Sequence, residues 1–307
     1  MQRQSLLKQT ISRLFLAMAV LASLSIFFLG QAYGLALELL VTVTAISILL
    51  LAMLLERYLP CQANWNHSQG DLTLDISSSA VLLGLIDPLL KYLAPLLAVA
   101  IYGVFDLFAS YSSLMTNTPF WLQLLLVTLL IEFARYWLHR LHHSVGWLWW
   151  LHAMHHSSKR LYALNNFRFH PLNYLLMFML STFPLMLLGV PAELLVGYLA
   201  LTLPVIMLQH ANIDLQSGIL NYLFSTNELH RWHHSSQARE ANANFGHALI
   251  IWDQLFGTFK YQPKGPNLPT AIGLFSHRHQ RYPAQASYLA QLRSMFCWRC
   301  CRGERRQ

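Results

Sequence analysis

Three short stretches of this 307-residue chain concentrate histidine: HRLHH, HAMHH and HRWHH. The first gives His139 and His143 at i,i+4, the second His152, His155 and His156, and the third His230, His233 and His234. Residues three and four apart share a helix face, so each box presents its imidazoles together as a pincer for a metal ion. Imidazole suits iron, zinc, copper and nickel, whereas magnesium and calcium prefer oxygen ligands. Eight nitrogen donors exceed the needs of one ion, so two metals with positions left open for dioxygen or water are the natural count. A zinc hydrolase also fits imidazole, but no H-E-x-x-H places a glutamate base between paired histidines. His142 points about 100° away from the His139/His143 face and is left out of the set.

The elements that carry these boxes are membrane spans. Hydrophobic residues make up 55% of the chain and charged ones 11%, against roughly 25% charged in soluble domains, which excludes an ordinary soluble enzyme and a disordered chain. Leu14 to Tyr33 is an uncharged run long enough to cross a hydrocarbon core of about 30 Å, and Leu39 to Leu55 follows at once. Ala32 and Gly34 would serve a signal-peptide cleavage, but the length of the run favours a retained helix. Ala80 to Phe105 is interrupted by Asp87-Pro88 and Lys91, which predicts a short interfacial helix, a span from near Tyr92 and an Asp87–Lys91 ion pair. Phe120 to Leu138 forms a fourth span. Leu172 to Val190 and Leu194 to Leu208 form an apolar hairpin whose second arm is the shorter. The expected fold is an all-α integral membrane protein, with about four transmembrane helices plus that hairpin and a cytosolic helical cap bearing the histidines.

Charge placement sets the orientation. With the N-terminus in the cytoplasm, all of the 21 Lys and Arg residues except Lys91 lie inside, as the positive-inside rule requires, and so do the three boxes and both termini. Basic residues flank apolar runs instead of covering a soluble face, which argues against nucleic acid as a partner. The four cysteines, Cys61 with Cys297, Cys300 and Cys301, form no disulfide framework and are expected to be reduced. The terminal group also fits a soft-metal or acylation site, ranked below a plain basic anchor.

The boxes, with RFHP (Arg168 to Pro171), QHAN (Gln209 to Asn212), ELHRWHHS (Glu228 to Ser235), NFG (Asn244 to Gly246) and WDQLFGT (Trp252 to Thr258), resemble the fatty acid hydroxylase and sterol desaturase superfamily over roughly residues 120–262. HAMHHSS is similar to the box of its alkylglycerol monooxygenase-like members. The resemblance implies two iron ions at the cytoplasmic membrane face, with O₂ as co-substrate, oxidising an unactivated C–H bond of a lipid. It implies His139, His143, His152, His155, His156, His230, His233 and His234 as ligands, and His210 of QHAN as a ninth. His170 and His247 are weaker candidates, and His67, His277 and His279 read as surface residues. The implied division is 1–118 for N-terminal spans, 119–262 for the hydroxylase-like catalytic domain and 263–307 for a basic cytosolic tail.

Supporting roles follow from position. Glu132, two turns before His139 on the same face, reads as an acceptor for a ligand imidazole, as a ligand, or as a packing partner of Arg135 or Arg168. Asp253 and Asn244 read as orienting hydrogen-bonders, and Glu228 as a cap of the third-box helix. Trp147, Trp149 and Trp150 fit either an aromatic belt or a substrate mouth. The chain holds no haem, flavin or dinucleotide signature, so a separate electron donor is expected. Arg231, Arg239, Lys260 and Lys264 would dock an acidic carrier or, more simply, anionic lipid. Hydroxylation of a membrane lipid's acyl or alkyl chain is the favoured reading. Sterol C–H oxidation or desaturation is the alternative, and a non-catalytic membrane metal-binding protein the alternative from another class. The expected location is a bacterial inner membrane, or the ER membrane in a eukaryote.

Overall fold

The computed structural model describes residues 2–105, 115, 117–262, 268–275 and 282–296. His277, His279, Lys264, Cys297, Cys300 and Cys301 lie outside them. The described chain is all-helical, without strands; isolated bridges such as Pro60 to Ile213 and Phe224 to Leu249 tie loops together.

Helices α1 (Gln2–Ala32) and α2 (Leu37–Tyr58) pair at the N-terminus. In α2 only Val41, Ala45, Ile48, Ala52 and Glu56 are buried. That stripe recurs every three to four residues, as a helix with one packed face requires. The opposite face keeps Leu39, Val43, Ile46, Leu50 and Leu54 exposed, and such apolar exposure belongs in lipid. A continuous helical run follows as α3 (Leu72–Val81), a π turn at Leu82–Ile86 and α4 (Asp87–Phe105). Pro88 has no N–H to offer the preceding turn, and the π turn accommodates it without ending the helix. The span therefore covers Leu72–Ile101 and does not start near Tyr92. The expected Asp87–Lys91 pair forms at 3.1 Å, with Glu38 also 3.6 Å from Lys91.

Helix α5 (Phe120–Ser144) ends in the first box, and after a break at Val145 α6 (Gly146–His156) carries the second. Pro184 breaks the next apolar stretch into α7 (Pro171–Ser181) and α8 (Phe183–Leu187). Helix α9 (Ala192–Gln209) is the longer arm of the hairpin, reversing the expectation from sequence. It packs against α1, α2 and α5 and is apolar on every side, as a central helix must be. A Cβ on its Gly197 would sit 3.0 Å from Leu124 and 3.1 Å from Phe27, so the missing side chain sets how closely α5 and α1 approach. Among the described residues five helices are long and apolar enough to cross a membrane, Leu6–Ala32, Leu37–Tyr58, Leu72–Ile101, Phe120–Ser144 and Ala192–Gln209; Pro171–Leu187 is shorter. Four short α-helices follow among the described residues, α10 (Asn227–His233), α11 (Ala238–Ala241), α12 (Ile251–Leu255) and α13 (Tyr288–Ser294), and single 3-10 turns lie at Ala63–Asn66, Ala163–Phe167 and Gly218–Tyr222.

Glu56 fastens this frame to the loops beyond it. Its buried carboxylate accepts the backbone N–H of Ala163 (3.0 Å) and of Asn212 (3.3 Å). Leaving a buried N–H without an acceptor costs about 1–3 kcal/mol. Glu56→Ala is therefore expected to lower the thermal unfolding midpoint of the detergent-solubilised protein, with Glu56→Gln, which keeps a carbonyl acceptor, losing less. An unchanged midpoint in the alanine variant would remove Glu56 from this role.

Candidate metal centre

Helical geometry divides the histidines into two sets. Within H-x-x-H-H the first and last residues lie about 40° apart around the axis, while the middle one lies about 60° to the other side. On α6, His152 and His156 therefore face one way and His155 another; at the end of α10, His230 and His234 pair while His233 turns aside. The two boxes interlock with opposite sense. His152 and His156 join His139, His143 and His233, whereas His230 and His234 join His155 and His210. Within each set the available nitrogens lie within 4.8 Å of one another. All nine histidines expected as ligands are brought together, His210 among them at the C-terminal cap of α9.

The rings are fixed from behind. A carbonyl or amide oxygen only accepts, so Nδ1–H must donate from His139 to the Phe245 carbonyl (2.7 Å) and from His233 to the Ala243 carbonyl (2.9 Å). His152 likewise meets Asn173 Oδ1 at 3.2 Å, and His210 meets Asn165 Oδ1 at 2.8 Å. Their Nε2 lone pairs are thereby turned inward. His139 and His152 approach Nε2 to Nε2 at 2.9 Å, His210 and His230 at 3.0 Å, and His234 reaches both His155 and His230 at 3.1 Å. His143 Nε2, His233 Nε2 and both nitrogens of His156 are buried without a hydrogen-bond partner. Buried polar atoms are nearly always satisfied, so converging, unpartnered nitrogen lone pairs fit a pair of divalent cations.

Burial, reinforced by the neighbouring imidazoles, holds His152, His155, His156, His230 and His234 well below the ordinary histidine range. Burial first and His230 second bring His233 down to about 3. Neutral imidazole is the form that ligates metal.

Glu132 joins neither set. Its carboxylate accepts the N–H of Ala248 and of Leu249 (both 2.8 Å) and the Tyr198 hydroxyl (2.8 Å), with His247 Nδ1 at 3.3 Å. It holds the turn whose Phe245 carbonyl orients His139, and does not pack against Arg168. Asp253 grips the same turn through the N–H of Phe245 and of Gly246 (both 2.7 Å), and burial raises its pKa to about 6. Asn244 sits at φ 55° and bonds Leu229 and Lys260. Gln209 Nε2 donates to the carbonyls of Ser225 and His247.

The other residues singled out from the sequence lie outside both sets. His170 caps α7 by accepting from Leu172 N–H (3.1 Å), His247 meets Arg135 at 2.7 Å, and His142 donates to its own helix at the Leu138 carbonyl (2.7 Å). Thr226, not Glu228, caps α10, since Glu228 is taken by the N–H of Ser217 (2.6 Å) and by Asn221. Trp147 is exposed, but Trp149 and Trp150 are buried. Trp149 packs on His143, His156 and Phe275, and so belongs to the wall of the centre and not to a belt. Arg231 is buried against Cys61 and the Ile213 carbonyl, so it cannot dock a carrier; Arg239 and His67 are exposed. The reading from sequence did not include Phe275, stacked on His143 at 5.2 Å, and gave no role to Phe169 of RFHP, stacked on His155 at 4.2 Å. Nor did it include Asn165 and Asn173, whose signal is an amide in an otherwise apolar stretch.

A multi-pass helical bundle with two interlocked imidazole clusters at its span ends defines the class of protein. A fatty acid hydroxylase profile matches residues 124–258. The ornithine lipid hydroxylase OlsE of Rhizobium tropici is 33% identical over 234 residues, covering 76% of this chain and 70% of that protein. Alkylglycerol monooxygenase from Homo sapiens is 30% identical over 130 residues, 42% of this chain and 29% of that enzyme. The Xenopus tropicalis enzyme is 28% identical over 129 residues, 42% and 28% of the respective chains. No solved structure matches. The chain belongs to the fatty acid hydroxylase family.

A Cβ on Gly246 would lie 2.2 Å from the Leu249 carbonyl oxygen, a backbone atom that cannot move aside without opening the turn. Gly246→Ala is expected to lower both the unfolding midpoint and the metal content of the purified protein, and retention of both would show the turn to be dispensable. The depressed imidazoles also set a pH dependence. An unfolded histidine takes up its proton near pH 6.5, which the folded cluster refuses, so stability is fully present above about 6.5 and falls as pH drops towards about 3, the value for His233. Asp253, with its raised pKa, acts in the opposite sense near pH 6. A thermal midpoint of chelator-treated protein that stays flat from about pH 8 to about pH 5 would contradict this.

Proposed function

We propose that the chain is a membrane-bound, O₂-dependent di-iron oxygenase that hydroxylates a C–H bond of a membrane lipid. The observation that carries the reading is the pair of buried imidazole sets, with donor atoms within 4.8 Å in each. Lipid hydroxylation is supported by family membership and by relatives named as an ornithine lipid hydroxylase and alkylglycerol monooxygenases. His139, His143, His152, His156 and His233 would hold one ion, and His155, His210, His230 and His234 the other. Iron bound there would supply the O₂ chemistry that side chains lack. An external electron donor completes the stoichiometry.

The chain's own residues position and exclude. Phe245, Ala243, Asn165 and Asn173 fix the tautomers that turn Nε2 inward. Trp149, Phe275 and Phe169 wall the clusters with apolar rings, keeping water from the reacting atoms. The exposed apolar faces of the spans leave the substrate's chains in lipid. The cytoplasmic orientation, an inner-membrane location and the division at residues 118 and 262 belong to the same proposal. They are supported by the charge asymmetry and by the profile match at 124–258.

Protein purified anaerobically without an affinity histidine tag is expected to carry about two iron ions per chain. Supplied with O₂ and a reductant, it should add one oxygen atom to a lipid. His233→Ala is expected to lose one ion or more and all turnover while still inserting in the membrane, with His142→Ala retaining both. Folded protein devoid of metal, or full turnover in His233→Ala, would end this reading.

A further inference from the structure

A cavity of about 480 Å³ opens beside the centre, between the start of α3, the turn after the second box and the segment leading into α13. Its wall mixes apolar Leu74, Ala286 and Leu289 with the hydroxyls of Thr73, Ser77 and Ser287. Two cations line it. Lys159 is exposed at its rim, whereas Arg168 is only 2% exposed. The Arg168 Nε donates to Asp75 and its Nη1 to Ser157 Oγ at 3.3 Å, but its Nη2 is buried with no hydrogen-bond partner. A buried guanidinium N–H left unmatched is costly, and an oxyanion in the cavity would satisfy it. The carboxylates nearby do not compete. Asp71 has both oxygens engaged by Arg160 at 2.7 and 2.8 Å, and Asp75 is taken by Arg168 and by the Tyr162 hydroxyl. With those two pairs neutralised, Lys159 leaves the cleft net positive.

The cleft also adjoins the centre. Ser157 directly follows His156, and Arg168 directly precedes Phe169, whose ring stacks on His155 at 4.2 Å. The Thr73/Ser77 wall lies on the first turns of a candidate span. We propose that this cleft receives the anionic head group of the lipid substrate, a carboxylate or phosphate oxygen held by Arg168 and Lys159. This inference rests on the lipid-oxygenase reading above for its ligand class, and on the cleft alone for its chemistry.

The test is binding, measured without turnover on the full-length protein in detergent. Charge-assisted hydrogen bonds of this kind correspond to about a tenfold difference in affinity, so N-palmitoylglycine is expected to bind about tenfold tighter than its uncharged methyl ester. Lys159→Glu reverses an exposed charge without touching a buried pair, and Ala286→Trp fills the cavity from the opposite wall. Both should bring the acid-to-ester ratio close to one. Equal binding of acid and ester by the unmodified protein overturns the proposal, as does selectivity that survives in both Lys159→Glu and Ala286→Trp. If inorganic phosphate binds as tightly as the acyl acid, the cleft is a free-anion site and the lipid assignment falls. Iron content measured on the same samples separates the two readings. Retained iron with no acid selectivity removes only the cleft, and selectivity in protein that takes up no iron removes only the oxygenase.

Discussion

Buried nitrogen lone pairs that face one another across about 3 Å repel unless a cation stands between them, and the architecture answers to that constraint. The backbone must force the imidazoles together in the absence of any attraction between them. It does so with three carboxylates that touch neither cluster. Glu56 captures the N–H groups of Ala163 and Asn212, Glu132 those of Ala248 and Leu249, and Asp253 those of Phe245 and Gly246. Each fixes a segment that lies against a ring of the clusters: Ala163 two residues before Asn165, Asn212 two after His210, and Phe245 behind His139. Removing a partner from a buried charge is more damaging than never burying it, so these carboxylates make the segments difficult to displace.

Lipid surroundings explain why polar clamps are needed. Between membrane helices there is little hydrophobic drive, because lipid tails are as apolar as leucine. Packing must come from close approach and hydrogen bonding. The buried stripe of α2 alternates small Ala45 and Ala52 with larger residues, and Gly197 lets α9 press against Leu124 and Phe27. The bundle is thus a frame of tight apolar contacts, to which the carboxylates bind the irregular segments that organise the centre.

The clustering of the nine histidines was legible in the sequence because helical periodicity turns i,i+3 and i,i+4 spacing directly into a shared face, and His210 was reached through the QHAN resemblance. What surrounds the clusters was not. Trp149 and Trp150 fit a membrane belt or a substrate mouth until the chain around Phe275 folds over them. Arg231 reads as a surface cation until Cys61 and Ile213 enclose it, and Glu228 as a cap until Ser217 takes its carboxylate. Each reversal depends on a partner distant in sequence, which local pattern cannot supply. The spans were read with the same unevenness. Their apolar runs were visible, but a π turn at Leu82–Ile86 that carries one helix past Pro88 leaves no trace in hydropathy, nor does the break that Pro184 makes in the first arm of the hairpin.

The amide of Asn165 shows how closely the two clusters and the cleft are joined. Its Oδ1 accepts from His210 Nδ1 and from the Tyr162 N–H, while its Nδ2 donates to Ser158 Oγ and the Arg160 carbonyl. One side chain therefore sets the tautomer of a ring in the second cluster and closes the turn after the second box. That turn presents Ser157 and Lys159 to the cleft, and Arg160 within it anchors Asp71 at the foot of α3. Because His155 and His156 lie in the same box but serve different clusters, displacing this turn would disturb both at once. The interlocking of the boxes, which follows from 3.6 residues per turn, makes the centre a single mechanical unit instead of two adjacent sites.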